Sequence, residues 1–194
     1  IFRKYPCCYP NCWIEDYSSF FDLPYRRKAM KIDKILKGKR VLLVDDERDI
    51  LESLIELLDI CKIDTASSFE EAKTILEENA YDVAVLDIMG VNGYELLKIA
   101  NRRKIPALML TAHALSSENL KRSAEEGAAY YAPKDEIEDI KSFVADVLDA
   151  VQNNKSSWQR MFDRLGWFYD RKFNGPDWRE KEKEFWEKKF KMYI

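Results

Sequence analysis

Three carboxylates, a hydroxyl and an ammonium group stand at the ends of apolar runs in this chain. Asp45 and Asp46 close the run Val41-Leu42-Leu43-Val44, and Asp87 closes the run in YDVAVLDIM. Thr111 ends PALMLT, and Lys134 ends AAYYAPK. An apolar run of that kind reads as a buried strand that delivers its last residue to the C-terminal edge of a sheet, where open α/β folds bind ligands. Three carboxylates gathered there repel one another unless a proton or a hard divalent cation lies between them. The expectation is an acidic pocket loaded with Mg²⁺. A carboxylate nucleophile, a bound cation, a hydroxyl and an ammonium group together suit phosphoryl transfer: cation and lysine neutralise the transferring group while the carboxylate attacks in line.

The elements that must position these groups alternate along residues 39–154. Strand-like runs at 41–44, 62–67, 81–88, 106–112 and 128–134 are separated by helical periods at 49–61, 68–79, 93–103 and 116–127, with a last helix at 135–154. Ser68 with Glu71 three residues on predicts a capping box, and Asp135 with Glu138 predicts the cap of the last helix. Gly127 closes the helix before it. Five strands alternating with five helices imply a doubly wound, five-stranded parallel sheet covered on both faces.

Composition sets further bounds. The chain has 194 residues, 46% of them hydrophobic, and a net charge of −3. That charge is unevenly spread: residues 1–38 carry 8 basic against 4 acidic side chains, 39–154 carry 13 against 24, and 155–194 carry 11 against 7. An acidic middle disfavours non-specific nucleic-acid binding by the core. No run approaches the roughly 20 apolar residues of a membrane span, and the N-terminus lacks a secretory pattern. The four cysteines, Cys7, Cys8, Cys12 and Cys61, do not form a disulfide framework, and no His stands near the first three to complete a zinc site. A reducing, cytoplasmic setting is expected.

The segments VLLVDDE, VLDIM, NGYELL, PALMLTAHA and EEGAAYYAPK, in that order, resemble the response-regulator receiver domain of bacterial two-component signalling. The resemblance covers 38–154, between an aromatic and basic extension at 1–37 and a helical, aromatic-rich extension at 155–194. It implies a flavodoxin-like receiver that accepts a phosphoryl group on Asp87 from a sensor histidine kinase or a phosphotransfer protein, as in a phosphorelay. Such a protein is no enzyme beyond catalysing its own phosphorylation and dephosphorylation. The resemblance further implies that Asp46, Asp87 and the Met89 carbonyl hold Mg²⁺, with Asp45 acting partly through water. Thr111 would bind the phosphoryl group, the small Ala112 would leave access, and Lys134 would pair with a phosphoryl oxygen. Thr111 and Tyr131 would form the switch. His113, two residues beyond Thr111, is expected in an exposed loop, where it would tune dephosphorylation.

Taken singly, each residue has a plainer reading. An Asp pair commonly caps a helix, a Thr is ordinary in a strand, a Lys is ordinarily solvated, and Tyr131 alone would be a packing aromatic. The conjunction decides against these. Two departures from the family pattern stand out. IMGVNG after Asp87 is about two residues shorter than usual, which predicts an unusual phosphorylation rate or metal affinity. Pro133 precedes Lys134, and Asp135 follows it, where the family places a proline after the lysine; this leaves the local peptide geometry open.

The output is less constrained. Trp158, Met161, Phe162 and Leu165 share a helical stripe ending at Gly166; Asn174-Gly175-Pro176 is a turn; and Asp177 caps a charged helix through Ile194. The tail carries no helix-turn-helix pattern, so specific DNA binding is not expected. The first expectation is signalling by protein–protein contact, with a homodimer through the face formed by helix four, strand five and helix five. The alternatives are an RNA- or membrane-binding effector that uses the aromatic tail, or a constitutive scaffold with an inactive receiver. The plain expectation for Trp158, Phe162 and Trp186 is packing against the receiver or a second copy of it.

Overall fold

The computed structural model describes residues 29–112 and 115–191. Cys7, Cys8, Cys12, His113, and the tail end from Tyr193 to Ile194 lie outside them, as does most of the N-terminal extension. Ile1–Lys31 separates as one unit, and Ile32–Ile194 forms another.

Within the second unit the strands are β1 (Arg40–Val44), β2 (Lys62–Ala66), β3 (Val83–Asp87), β4 (Ala107–Thr111) and β5 (Tyr130–Pro133). All pair in parallel in the order β2-β1-β3-β4-β5. The interior strands are aliphatic because both their faces are covered: every residue of β3 and β4 is buried. The connecting helices are α1 (Arg48–Leu57), α2 (Phe69–Glu78), α3 (Gly93–Arg102), α4 (Ser117–Glu125) and α5 (Ile140–Gln152). Their apolar stripes supply Leu51 and Leu54, Ala72 and Leu76, Leu96 and Leu97, Leu120, and Phe143 and Val144 to one core. This is the doubly wound sheet expected from the alternation of runs.

Local details differ from the sequence pattern in three places, and a fourth that it left open is settled. The Ser68 hydroxyl accepts from the Glu71 amide as expected, but the Glu71 carboxylate reaches the Ser67 amide instead of closing the box on Ser68. The last helix of the sheet domain does not begin at Asp135. A 3₁₀ segment, Lys134–Asp139, comes first, with Glu136 outside helical geometry, and Asp135 pairs with Lys172 at 3.0 Å rather than capping. No peptide bond among the described residues is cis, including the one at Pro133. Gly166 does not stop a helix: α6 runs through it from Ser157 to Lys172. A side chain at 166 would meet the Arg179 guanidinium at 2.6 Å, so close packing explains this glycine better than chain termination.

After α6 come α7 (Asp177–Lys181) and α8 (Lys183–Lys191), two helices where the sequence suggested one. They fold back on α6 through aromatic contacts: the Phe162 ring lies 5.4 Å from Trp178, 4.8 Å from Trp186 and 5.0 Å from Phe190. Trp158, Phe162, Trp178 and Trp186 are all buried and join the core of the sheet, the packing expected for Trp158, Phe162 and Trp186. Trp167 of α6 is exposed. Among the described residues no helix is long and apolar enough to cross a membrane.

The face expected to form a dimer is covered by this extension. From α6, the Ser157 hydroxyl donates to the Ala129 carbonyl and the Trp158 indole donates to the Ala128 carbonyl at 3.0 Å, both just before β5. The Tyr169 hydroxyl donates to the Tyr131 carbonyl at 2.8 Å. Arg164 places two nitrogens 3.0 and 2.9 Å from Asp146 of α5, and Arg160 pairs with Asp149. Cys61 is half-buried, and burial pushes its thiol up to about 11, which leaves it a poor nucleophile.

Candidate functional site

Parallel register brings the anticipated residues to one edge. Asp45 follows β1, Asp87 ends β3, Thr111 ends β4 and pairs with Pro133, and Lys134 follows β5. Strand order reverses between β1 and β3, the place where a crevice opens in such sheets. A depression of about 340 Å³ lies there, with Asp46, Asp87, Met89, Ala112 and Lys134 among its walls. Asp45, Asp87 and Thr111 are buried, while the side chain of Met89 stands 65% exposed at the rim.

Lys134 holds the carboxylates together. Its ammonium lies 2.8 Å from Asp45 Oδ2, 3.0 Å from Asp87 Oδ1 and 2.7 Å from Glu47 Oε1, with its side chain 7% exposed. Burial alone would lower its pKa, but hydrogen bonds to Asp45, Glu47 and Asp87 outweigh burial and raise it. At Asp45 the balance runs the other way: burial raises the carboxyl pKa more than Lys134 and the Glu47 amide lower it. Glu47 is the member sequence reasoning missed. It stands at the N-cap of α1 without capping it, because its carboxylate is committed to Lys134 while its amide donates to Asp45 Oδ1 at 3.0 Å. Its position directly after the Asp pair was the available signal.

The short loop after Asp87 has a clear geometry. The Met89 and Gly90 amides both donate to Asp87 Oδ2, at 2.9 and 2.8 Å. Asn92 takes the left-handed conformation at φ 59°, and the Gly93 amide returns to the Ile88 carbonyl at 3.1 Å. A Cβ on Gly90 would fall 1.8 Å from Asp46 Oδ1, and one on Gly93 would fall 2.1 Å from the Asp87 carbonyl. Shortening the loop therefore requires glycine at both points of contact with the acidic residues.

For a cation the donor chemistry fits: Asp46 is exposed at the rim, beside the buried carboxylates of Asp45 and Asp87 on the same sheet edge. Hard carboxylate and carbonyl oxygens are what Mg²⁺ takes. Among the described residues, no three Asp, Glu, His or Cys side chains stand close enough to hold a metal as they are. Lys134 occupies the neutralising position between them.

Thr111 and Tyr131, the two residues expected to form a switch, lie on neighbouring strands. Tyr131 neighbours Met109 across the β4–β5 pairing, two positions before Thr111, and is wholly buried. Burial raises the pKa of its phenol, which also hydrogen-bonds backbone at Ser116, the residue that caps α4. The ring of Tyr169 lies 6.2 Å from it.

A doubly wound sheet whose C-terminal edge gathers Asp45, Asp87, Thr111 and Lys134 defines a receiver-type fold. Residues 41–145, more than half of the chain, match the response regulator receiver domain, and the chain belongs to that family. It is 33% identical over 121 residues to a heme response regulator, HssR, of Staphylococcus haemolyticus, covering 59% of this chain and 54% of that protein. It is 33% identical over 108 residues to the two-component response regulator ARR18 of Arabidopsis thaliana, covering 53% of this chain and 17% of that protein. The chain thus spans about half of the first relative's length and far less of the second's. Among solved structures, the Francisella response regulator 1452 receiver domain superposes with a TM-score of 0.53 at 27% identity, covering 58% of this chain and 98% of that one.

Proposed function

We propose that this protein is a two-component response regulator that takes a phosphoryl group on Asp87 from a sensor histidine kinase or phosphotransfer protein in the cytoplasm. The observation that carries this reading is Lys134 bridging Asp45 and Asp87 beside the exposed Asp46. One Asp87 carboxylate oxygen attacks the phosphorus of the donor phosphohistidine. A P–O bond forms, the P–N bond breaks, and its electron pair leaves on the imidazole nitrogen. The product is an acyl phosphate.

Asp46, Asp87 and the Met89 carbonyl would hold Mg²⁺, with Asp45 reaching it through water. Bound there, the ion supplies positive charge against the oxygens of the transferring group. Lys134 exchanges its contact with Asp87 for a phosphoryl oxygen while keeping Asp45 and Glu47. The Thr111 hydroxyl bonds another phosphoryl oxygen, and exposed Ala112 leaves the approach open. Tyr131 follows Thr111 and passes the change to α4 and β5.

The test is intact mass after incubation with Mg²⁺ and acetyl phosphate. A gain of one phosphoryl group that needs Mg²⁺ and is absent in Asp87→Asn is expected. Equal uptake by that variant would remove Asp87 from the reaction.

A further inference from the structure

A cavity of about 410 Å³ lies at the opposite edge of the sheet from Asp87, where β4 and β5 begin. Its walls are mostly apolar, with Ile105, Pro106 and Ala128 from the sheet domain and Trp158 from α6. Two lysines complete it, Lys104 just past α3 and Lys189 in the last turn of α8, and among the described residues no carboxylate lines it. The surrounding core is acidic, with 24 acidic against 13 basic side chains over 39–154, so this cavity stands apart from the field around it. Among the described residues neither lysine pairs with a carboxylate. Lys189 is half-buried, and burial lowers its pKa more than the charge of Glu125 raises it. A half-buried ammonium without a counter-ion disfavours the fold, and a bound anion would offset that cost. Lys104 carries a second cost: it takes the left-handed conformation, φ 57°, at a place after a helix that glycine usually fills. Both lysines stand at helix ends, but the half charge of a helix end does not neutralise a full ammonium. The walls are also fixed to one another. The Ser156 hydroxyl donates to the Lys189 carbonyl at 2.8 Å, and the Trp158 indole donates to the Ala128 carbonyl at 3.0 Å.

We propose that this cavity binds a small organic anion, a carboxylate or sulfonate on an apolar ring or chain. Lys104 and Lys189 receive the anionic group, and the apolar body lies against Ile105, Pro106 and Trp158. The apolar walls argue against bare inorganic phosphate, and two lysines without a lining carboxylate argue against a cation. The volume falls in the range of small-molecule pockets, ~300–1,000 Å³. The cavity shares no residue with the depression at Asp87, so its ligand is independent of phosphoryl chemistry there. A molecule seated in it touches both the sheet domain and the extension, and gives the chain a chemical input of its own.

Calorimetric titration of the full chain with naphthoate tests this. Naphthamide supplies the same rings without the charge, and inorganic phosphate supplies charge without the rings. Naphthoate is expected to bind at a single site with a micromolar Kd, and both comparison compounds far more weakly. Lys104→Met and Lys189→Met keep most of the apolar stem and remove one ammonium each. Each should weaken naphthoate binding about tenfold, the order of one hydrogen bond to a charged group. Neither lysine holds an ion pair, so both variants should fold, which a thermal melt checks. No binding of naphthoate to the folded full chain, equally tight binding of naphthamide, or unchanged affinity in either folded lysine variant would overturn the site.

Discussion

The sheet and the C-terminal extension are two cores built by different means. In β1, β3 and β4 the buried apolar side chains are Val, Leu, Ala and Met, short or flexible groups that fill the space between a sheet and its helices. In α6–α8 most of the buried large groups are rings, with Phe162, Trp178 and Trp186 in mutual contact, and Tyr169 stacked on Phe173 at 5.6 Å. The aliphatic core is held by strand pairings between residues distant in sequence, so losing one layer loosens all of it. The aromatic core is assembled from neighbours within about one helical hairpin and joined to the sheet domain both by polar contacts and by shared apolar burial of Trp158, Met161, Leu165 and Tyr169. Its rings carry large buried area per residue, which lets a short segment hold its own shape. One region is therefore suited to holding a site in fixed geometry, and the other to moving as a piece.

The largest effects should separate those two cores. Leu86→Ala in β3, at a wholly buried position, should cost about 2–5 kcal/mol and abolish phosphoryl uptake along with the fold. Trp186→Ala removes a buried ring of comparable worth, about 3–5 kcal/mol, yet uptake on Asp87 should survive while the tryptophan near-UV signal collapses. A single transition in which Trp186→Ala loses both signals together would erase the distinction between the cores.

A smaller change sharpens the contrast at the site itself. Gly90→Ala pushes the Asp46 carboxylate from its seat without touching either core. Mg²⁺ affinity in that variant should fall by about tenfold, the scale seen when the support of a ligand is disturbed, with the melting temperature nearly unchanged. A large loss of stability instead would show that the loop is part of the sheet's core.

The smallest effect is electrostatic. Because the folded pKa of Lys134 is raised, its ion pairs stabilise the fold fully below the unfolded lysine value of about 10.4 and are lost as pH rises through the folded value. Denaturant midpoints should therefore drop in alkaline solution by an amount that Lys134→Met removes. Asp45 acts with the same sign at the acid end, because its pKa is raised too. Its raised pKa makes the folded state bind a proton more tightly just above pH 3.8, so its own contribution favours the fold as pH falls into that window. If the alkaline drop persists in Lys134→Met, the strain lies outside the site.

Much of the site was legible because strands end where their apolar runs end. Asp45, Asp87, Thr111 and Lys134 each sit at such a boundary, and parallel pairing then fixes their meeting without further information. The fold class followed from the same alternation. What periodicity does not carry is the partner of a face. The stripe from Trp158 to Leu165 shows that α6 is buried on one side, but Tyr169 on Tyr131 is a contact 38 residues apart that no local pattern announces. Gly166 was misread for a related reason, since a glycine that makes room for Arg179 looks in sequence like one that ends a helix. The 3₁₀ segment at Lys134–Asp139 replaces the expected helix start in a stretch where Asp135 turns to Lys172 instead of the helix amides. Glu47 escaped notice because its role depends on a lysine 87 positions away.

The two outer strands of the sheet face a hazard the inner ones do not, since an unpaired strand edge is a template for another chain. On β2 the hazard is met by Lys62 and Asp64, charged and partly exposed on a short strand. β5 has no such charges; its four residues are Tyr, Tyr, Ala and Pro. There the carbonyls of Ala128, Ala129 and Tyr131 are occupied by donors from α6. The extension thus also guards solubility: a chain cut after residue 154 would bare an apolar strand edge, and self-association through β-pairing would follow from the loss of that cover.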